Sequence, residues 1–230
     1  MAERPIFLPV APEAASADWV EERPIVFTWH AGMAVSQQQK SIRSWHEAAA
    51  EKGLSPLLEI SRKSQNPLGI QLSAFNLKLN LPEISTVSVE AAFQGSKVFS
   101  EGGPYEDFYR MDGRAIKADP RLRGSGHLTA FRLLDETWPL QPKSAFYDWL
   151  YLQALAQNPE LGEALMEFAG FTDIAFNPKV AFNCQAHSAA LYVALRRAGR
   201  LAEALQGKES FLAIMTGKDS TSGSGQLALF

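Results

Sequence analysis

The sequence predicts an α+β fold that is mostly helical, with a few short strands. Helical segments that begin at a capping residue and end at a glycine occupy most of the chain. The few β-branched segments do not alternate with helices in βαβ units, which disfavours a doubly wound sheet. A length of 230 residues is sufficient for one domain, or for one domain with a substantial extension.

Residues 1–58 are predicted to form an N-terminal extension made of an arm, a strand and a helix. Residues 1–20 are rich in Pro, Ala and acids and are expected to be a loose arm. Residues 24–32 (PIVFTWHAG) have the β-branched and aromatic side chains typical of a strand. Ser36, with a glutamine three residues later, predicts the start of a helix of about 16 residues that stops at Gly53.

Residues 59–205 are predicted to form the main domain, which begins within a short predicted strand, LLEIS (57–61). Polar and apolar residues alternate around the NPLG turn at 66–69, a pattern consistent with a hairpin. The segment 88–99 (SVEAAFQGSKVF) predicts a helix, which the GGP run at 102–104 ends.

More helices are predicted in the second half of the chain. Residues 105–126 form a charged segment with helical character, and residues 143–168 predict two helices that meet at Asn158-Pro159, where proline can begin the second helix. A last helix follows. Residues 206–230 end in a Ser- and Gly-rich stretch and are expected to be a disordered tail.

The composition is that of a soluble globular protein, with 46% hydrophobic and 20% charged residues. Because no apolar run is long enough for a signal peptide or a membrane span, no membrane partner is expected. The single cysteine, Cys184, suits a reducing cytosol, so a cytoplasmic location is expected. The net charge of −3 gives no global attraction to nucleic acid. The histidines lack ligand spacing, so neither a metal site nor a cofactor is expected.

The predicted helix at 88–99 carries an unusual set of polar residues. At about 100° per residue, Glu90, Gln94 and Lys97 fall within an arc of roughly 80° between apolar flanks. Such a narrow polar strip is typical of a helix that is buried on most sides and lines a cleft. The alternative is a structural helix with one hydrated stripe, and the pattern alone leaves both interpretations open.

Six segments together resemble the NADAR (YbiA-like) family over roughly residues 60 to 200. They are LSAFN, SVEAAFQGSKVF, FYDWLYLQAL, NPELGEAL, FTDIAFNP and NCQAHSAALYVALR, in the order and at the spacing of that family. The Glu-x-x-Phe-Gln-x-x-Lys pattern is the most specific part. Two positions depart from the family: Ala91 stands where histidine is usual, and Ala74 where asparagine is common.

The segment 24–60 resembles the N-terminal extension of the DarT-associated NADAR antitoxins. This resemblance implies a functional pairing with a DarT-type ADP-ribosyltransferase toxin that modifies guanine bases in DNA. It also implies an antitoxin hydrolase that cleaves the N-glycosidic bond, with ADP-ribosylated DNA as substrate and ADP-ribose as product. The expected fold is then a NADAR/YbiA-like domain preceded by a strand-helix extension.

The same resemblance implies three catalytic residues. Glu90 is expected to act as acid or base, Lys97 as the nucleophile, and Asp173 as the late acidic residue that lies near the ribose. The ordinary alternatives are that Lys97 only pairs with Glu90 or with pyrophosphate, and that Asp173 caps a helix or turn.

Further side chains are candidates for ligand binding. Aromatic rings could stack on adenine or guanine, basic groups beside the NPLG turn could bind pyrophosphate, and an amide before the last helix could bind ligand or cap that helix. Each has a structural alternative in the core or on a solvated surface. The candidates are Arg62, Lys63, Phe75, Gln94, Tyr147, Trp149 and Asn183.

The best local patch for DNA phosphates is residues 110–123 (RMDGRAIKADPRLR), which has five basic residues against two acidic ones, although such a run is often only a solvated face. Two rival functions stay open. One is a non-catalytic antitoxin that binds ADP-ribose or the toxin, and the other is an N-glycosidase of a small metabolite such as a riboflavin intermediate.

Overall fold

Small sheets joined by helices make up the computed structural model, which describes residues 1–10, 18–179 and 181–217. The predicted α+β class is confirmed. The strands are β1 Ala2–Pro9, β2 Val20–Phe27, β3 Leu57–Glu59, β4 Lys78–Leu81, β5 Ser85–Ser88, β6 Lys97–Phe99, β7 Leu128–Leu133, β8 Glu136–Trp138 and β9 Gly170–Thr172. They form sheets of order β2-β1-β9-β3, β4-β5 and β6-β7-β8.

The helices lie between and after these strands. They are α1 Val35–Ala50, α2 Pro67–Gln71, α3 Val89–Gly95, α4 Gly113–Ala118, α5 Arg121–Gly124, α6 Ala145–Ala156, α7 Pro159–Ala164, α8 Gln185–Arg197, α9 Leu201–Ala204 and α10 Lys208–Met215. Short 3₁₀ turns occur at Glu106–Arg110 and Leu165–Glu167. Within the described ranges, none of these helices has the length and apolar character needed to cross a membrane.

The prediction of a loose arm over residues 1–20 is wrong for residues 2–9, which form β1. β1 pairs antiparallel with β2 along its whole length, from Ala2 opposite Phe27 to Pro9 opposite Val20. Ile6 is fully buried, because this strand fills a sheet position against the core. The predicted strand at 24–32 begins earlier and ends at Phe27, and the arm residues 11–17 lie outside the described residues.

Helix α1 confirms the predicted 16-residue helix, although its N-cap is Ala34 and not Ser36. The helix packs against β2 through Trp45, whose ring stacks on Phe27 at 5.1 Å between centroids. These side chains belong to a small hydrophobic cluster of their own, which joins the N-terminal hairpin to α1.

The predicted hairpin around 66–69 is wrong, because this segment forms the short helix α2. The Asn66 side chain accepts a hydrogen bond from the Leu68 N–H at 3.0 Å, and Pro67 occupies the first turn. Asparagine as a cap followed by proline is a helix start as well as a turn signal, and here the helix prevails. Gly69 fits only without a side chain, since a Cβ there would lie 1.9 Å from the Glu59 carbonyl oxygen.

The predicted helix at 88–99 is shorter than expected. Helix α3 begins after the Ser88 cap and ends at Gly95, and Lys97 lies on β6, opposite Phe131 of β7. The prediction of one polar strip on one helix is therefore wrong for Lys97. The β-branched and aromatic residues at 98 and 99 favour a strand, and the Ser96 carbonyl accepts the Arg132 N–H at 2.7 Å.

The C-terminal half contains the predicted helix pair α6 and α7, which meet at Asn158-Pro159. Helix α8 is not the last helix, and the prediction of a disordered tail is wrong for residues 208–215, which form α10. Phe211 of α10 is fully buried against Trp138, so an apolar face anchors this helix. Residues 218–230 of the predicted tail lie outside the described residues.

Candidate active site

A cleft of about 410 Å³ collects most of the candidate residues. It lies where α3, β6, α4 and α6 meet the segment that runs from β9 to α8. Of the sequence-predicted residues, those that line this cleft are Phe75, Glu90, Gln94, Lys97, Tyr147, Asp173 and Asn183. Residues that are distant in sequence therefore share one concave surface, as expected for a ligand site.

Glu90 lies in the first turn of α3, where the helix N-terminus favours a negative charge. Its side chain is almost completely buried, with 6% of the residue exposed. The carboxylate accepts a hydrogen bond from Gln94 Nε2 at 3.1 Å and lies 3.5 Å from Lys117 Nζ. Gln94 Oε1 is buried and has no hydrogen-bond partner among the described residues. The cleft thus presents a fixed carboxylate beside an amide that can bind a ligand donor.

Lys97 reaches the same cleft from β6. Its Nζ lies 5.0 Å from the centre of the Phe93 ring. Burial lowers the pKa of Lys97, the charge of Glu90 acts in the opposite direction, and the charge of Lys117 lowers the pKa further. A larger fraction of Lys97 is therefore neutral than for an exposed lysine, and a neutral amine is the form that acts as a nucleophile.

Asp173 follows β9 directly and is 6% exposed. Burial, with the added effect of the neighbouring Glu59 charge, raises the pKa of Asp173 to about 7. One oxygen accepts the Ala175 N–H at 2.9 Å, so Asp173 makes a turn and lines the cleft at the same time. Glu59 is held by the Thr172 hydroxyl at 2.7 Å and the Ile174 N–H at 2.9 Å. The two carboxyl groups therefore compete for protons.

Of the two predicted stacking residues, Tyr147 lines the cleft but is only 6% exposed, and its ring meets Phe93 edge-on at 5.2 Å. Trp149, two residues further along α6, does not line the cleft. Its ring lies 4.9 Å from Trp138, where it packs on the main hydrophobic core. The structure therefore does not place Trp149 at this cleft, because residues 147 and 149 point about 200° apart on a helix.

Arg62 and Lys63 line a second cleft of about 300 Å³ instead of the first. Arg114 also contributes to it, and its border with the first cleft is formed by shared residues, among them Phe75 and Lys117. The Arg62 guanidinium lies over the Phe75 ring at 4.2 Å. This second cleft is basic and adjoins the first, so it suits an anionic part of a ligand.

Basic side chains of segment 110–123 have different surroundings. Arg121 donates hydrogen bonds to both Asp107 and Asp119, which neutralise it. Lys117 faces Glu90, and Arg114 lines the second cleft. Of the predicted patch, these two residues are the ones placed at the candidate site.

Asn183 lines the cleft and does not cap α8, whose N-cap is Cys184. Sequence reasoning missed Gln185, which donates to the Ile60 carbonyl at 2.8 Å and accepts the Ala74 N–H at 2.8 Å. It also missed Lys117 and Phe182. Lys117 had only a weak sequence signal, its place in a basic run. No local sequence pattern marked Phe182.

The two departures from the family pattern have different surroundings. Ala91 is packed in an apolar cluster with Phe108 and Ile116 and does not line the cleft. Ala74 does line the cleft, and its carbonyl accepts the Glu90 N–H at 2.9 Å. Only the change at Ala74 therefore alters the surface that a ligand meets.

Cys184 is buried, and burial raises the pKa of its thiol well above the ordinary value. Within the described ranges, no three His, Cys, Asp or Glu side chains are grouped so as to hold a metal ion.

A family model described as DarT1-associated NADAR antitoxin matches residues 2–224 of the chain. Among curated proteins, none matches it.

Proposed function

Because this chain belongs to the family of DarT1-associated NADAR antitoxins, we propose that it is a hydrolase that removes ADP-ribose from guanine bases in DNA. The reaction cleaves the N-glycosidic bond between the ribose C1 atom and a base nitrogen, and it reverses the modification made by a DarT-type toxin. The products are free ADP-ribose and the unmodified base.

The observation that carries this proposal is the meeting of Glu90 and Lys97 on one cleft. Breaking an N-glycosidic bond passes through an oxocarbenium-like transition state, which a nearby carboxylate stabilises. Glu90 is buried, held by Gln94 at 3.1 Å, and placed so that its charge is weakly screened by water. A carboxylate and an amine of this kind suit the cleavage of a bond to a positively charged ribose carbon.

Lys97 takes the role of nucleophile. Its neutral amine attacks the ribose C1 atom, the bond from C1 to guanine breaks, and the bonding electrons leave with the base nitrogen, which takes up a proton. Opening of the ribose ring gives an imine between Lys97 and C1, and water hydrolyses this imine to ADP-ribose and the free amine. The lowered pKa of Lys97 supports this role, since burial favours the neutral amine.

Glu90 and Asp173 supply the proton transfers. We assign Glu90 the activation of water and the transfer of protons at C1, because it lies beside Lys117 and lines the same cleft as Lys97. Asp173, whose pKa is raised to about 7, is partly protonated near neutral pH and can donate a proton to the departing base.

The basic residues of the second cleft favour the binding of an anionic substrate. Arg62, Lys63 and Arg114 line it, and it opens beside Phe75, so a pyrophosphate or a DNA phosphate that extends from the main cleft meets positive charge there. An enzyme that acts on a base needs the modified nucleotide out of the stack or single-stranded, which suits a cleft of this size.

The test is to incubate the purified protein with a single-stranded oligonucleotide that carries ADP-ribosyl-guanine and to measure free ADP-ribose by chromatography. We expect release by the wild type, and a loss of about 10²–10⁴ in rate for Glu90→Gln with binding retained. Binding of ADP-ribose without any release would favour the non-catalytic antitoxin. Release only from a small nucleoside, and not from DNA, would favour the metabolite glycosidase.

A further inference from the structure

The aromatic rings that line the main cleft differ in how much of each ring is open. Phe182 is 66% exposed, whereas three other rings are closely packed at 5%, 6% and 9%: Phe93, Tyr147 and Phe176. The fifth ring, Phe75, is only partly exposed and is contacted by two cations, Arg62 at 4.2 Å and Lys117 at 4.5 Å. Among the described lining residues, Phe182 is therefore the aromatic side chain best placed to receive another ring.

A lysine from a different segment lies against Phe182. Lys143, in the stretch between β8 and α6, has its Nζ 4.2 Å from the centre of the Phe182 ring. A cation over an aromatic face is attractive, so this contact stabilises the position of a ring that lines the cleft. Phe182 nevertheless remains 66% exposed, so the residue is accessible to a ligand.

We propose that Phe182 is a stacking platform for a purine base of the substrate, with Lys143 next to the phosphate that adjoins this base. The inference rests on the proposed function and deepens it. The ligand chemistry is a flat π-system joined to an anion, and it has two sources in an ADP-ribosylated oligonucleotide: the adenine of ADP-ribose, or a base of the DNA. Stacking of a base on an aromatic side chain is tolerant of base identity, so either source fits the ring.

Binding of two simple probes distinguishes these sources. One probe is ADP-ribose, and the other is an unmodified single-stranded oligonucleotide rich in guanine. We expect Phe182→Leu, which keeps an apolar side chain but removes the π-face, to weaken at least one of them about tenfold. Phe182→Trp should retain or improve the same binding. Weaker ADP-ribose binding identifies adenine as the stacked base, and weaker oligonucleotide binding alone identifies a DNA base.

Met33→Ala is a matched control, because Met33 is an exposed apolar residue (89%) that does not line the cleft. It should leave both affinities unchanged. Unchanged affinities in Phe182→Leu for both probes would overturn the proposal. So would an equal loss in Phe182→Leu and Phe182→Trp, since that pattern indicates altered loop packing.

The outcome is separable from that of the proposed function, because binding of these probes requires no turnover. If Phe182-dependent binding is found but no ADP-ribose is ever released, the hydrolase proposal fails and the stacking proposal stands. If release is efficient and Phe182→Leu changes neither KM nor probe affinity, the stacking proposal fails and the hydrolase proposal stands.

Discussion

Replacing Asp173 by asparagine is expected to stabilise the fold at alkaline pH. Burial and the charge of Glu59 raise the pKa of Asp173 from 3.8 to about 7 in the folded protein. In the unfolded chain the carboxyl titrates near its ordinary pKa of about 4, so folding favours the protonated form. The stabilising contribution of this proton is complete below about pH 4 and is lost as the pH rises through about 7.

The magnitude follows from these two pKa values. At about 1.36 kcal/mol for each pH unit between 3.8 and about 7, the ionised side chain costs the fold up to about 4 kcal/mol above pH 7. Because Glu59 competes for the same proton, we expect Asp173→Asn to recover about 2–4 kcal/mol at pH 8.5. The asparagine carbonyl can still accept the Ala175 N–H, which lies 2.9 Å from the native carboxylate oxygen.

The assay is urea denaturation of wild type and Asp173→Asn at pH 5 and pH 8.5, with the free energy of unfolding compared at each pH. The gain from the substitution should be clearly larger at pH 8.5 than at pH 5. Asp135→Asn, at an exposed position in the turn between β7 and β8, is the control and should change stability little at either pH. If Asp173→Asn were as pH-dependent as the wild type, the account of a destabilising buried charge at this position would be refuted.

Two further predictions concern a glycine of α3 and Lys117 of α4. Gly95→Ala should lower the free energy of unfolding by about 1–3 kcal/mol in chemical denaturation, because its Cβ would lie 2.5 Å from the Tyr109 ring. Gly124→Ala on α5, with nothing within 4 Å, is the matched control and should be neutral or stabilising. Lys117→Met removes a positive charge that lowers the pKa of Lys97, so the acidic limb of the kcat–pH profile should move to higher pH. If the acidic limb of the kcat–pH profile did not move, the ionisation of Lys97 would not control turnover.

Local sequence signals were sufficient to predict some of the helix boundaries. Proline after asparagine at 158–159 marks the boundary of α6 and α7, and the stop signal at Gly53 helps to give α1 the right length, although its N-cap is not the predicted Ser36. The linear pattern that carries Glu90 and Lys97 marked two residues that line the same cleft, although by way of the family resemblance and not of helix geometry.

The remaining features depend on contacts between distant segments, which local patterns do not encode. Residues 97–99 become a strand because β7, some thirty residues later, offers a pairing partner. Residues 2–9 are ordered because β2 and β9 flank them. Lys117 and Phe182 reach the cleft from α4 and from the segment before α8, and only the tertiary fold brings them beside Glu90.

The position of Lys97 on a strand changes the argument for its reactivity but keeps the site intact. A helical strip would have placed Glu90, Gln94 and Lys97 in a row along one surface. In the structure, β6 instead brings the amine to the cleft beside the Phe93 ring at 5.0 Å, and burial at that place lowers the pKa of Lys97. The pKa of Lys97 is therefore lowered mainly by burial in the cleft.

The most direct measurement of the central claim is trapping of the Lys97 adduct. Borohydride added during turnover should reduce the imine and leave ADP-ribose covalently attached, and peptide mass spectrometry should locate it on Lys97. Lys97→Arg keeps the positive charge but does not form the imine, so it should lose both the adduct and turnover. An active Lys97→Arg without an adduct would contradict covalent catalysis and assign water attack to Glu90, and an adduct on Lys63 or Lys179 would contradict the assignment of the nucleophile.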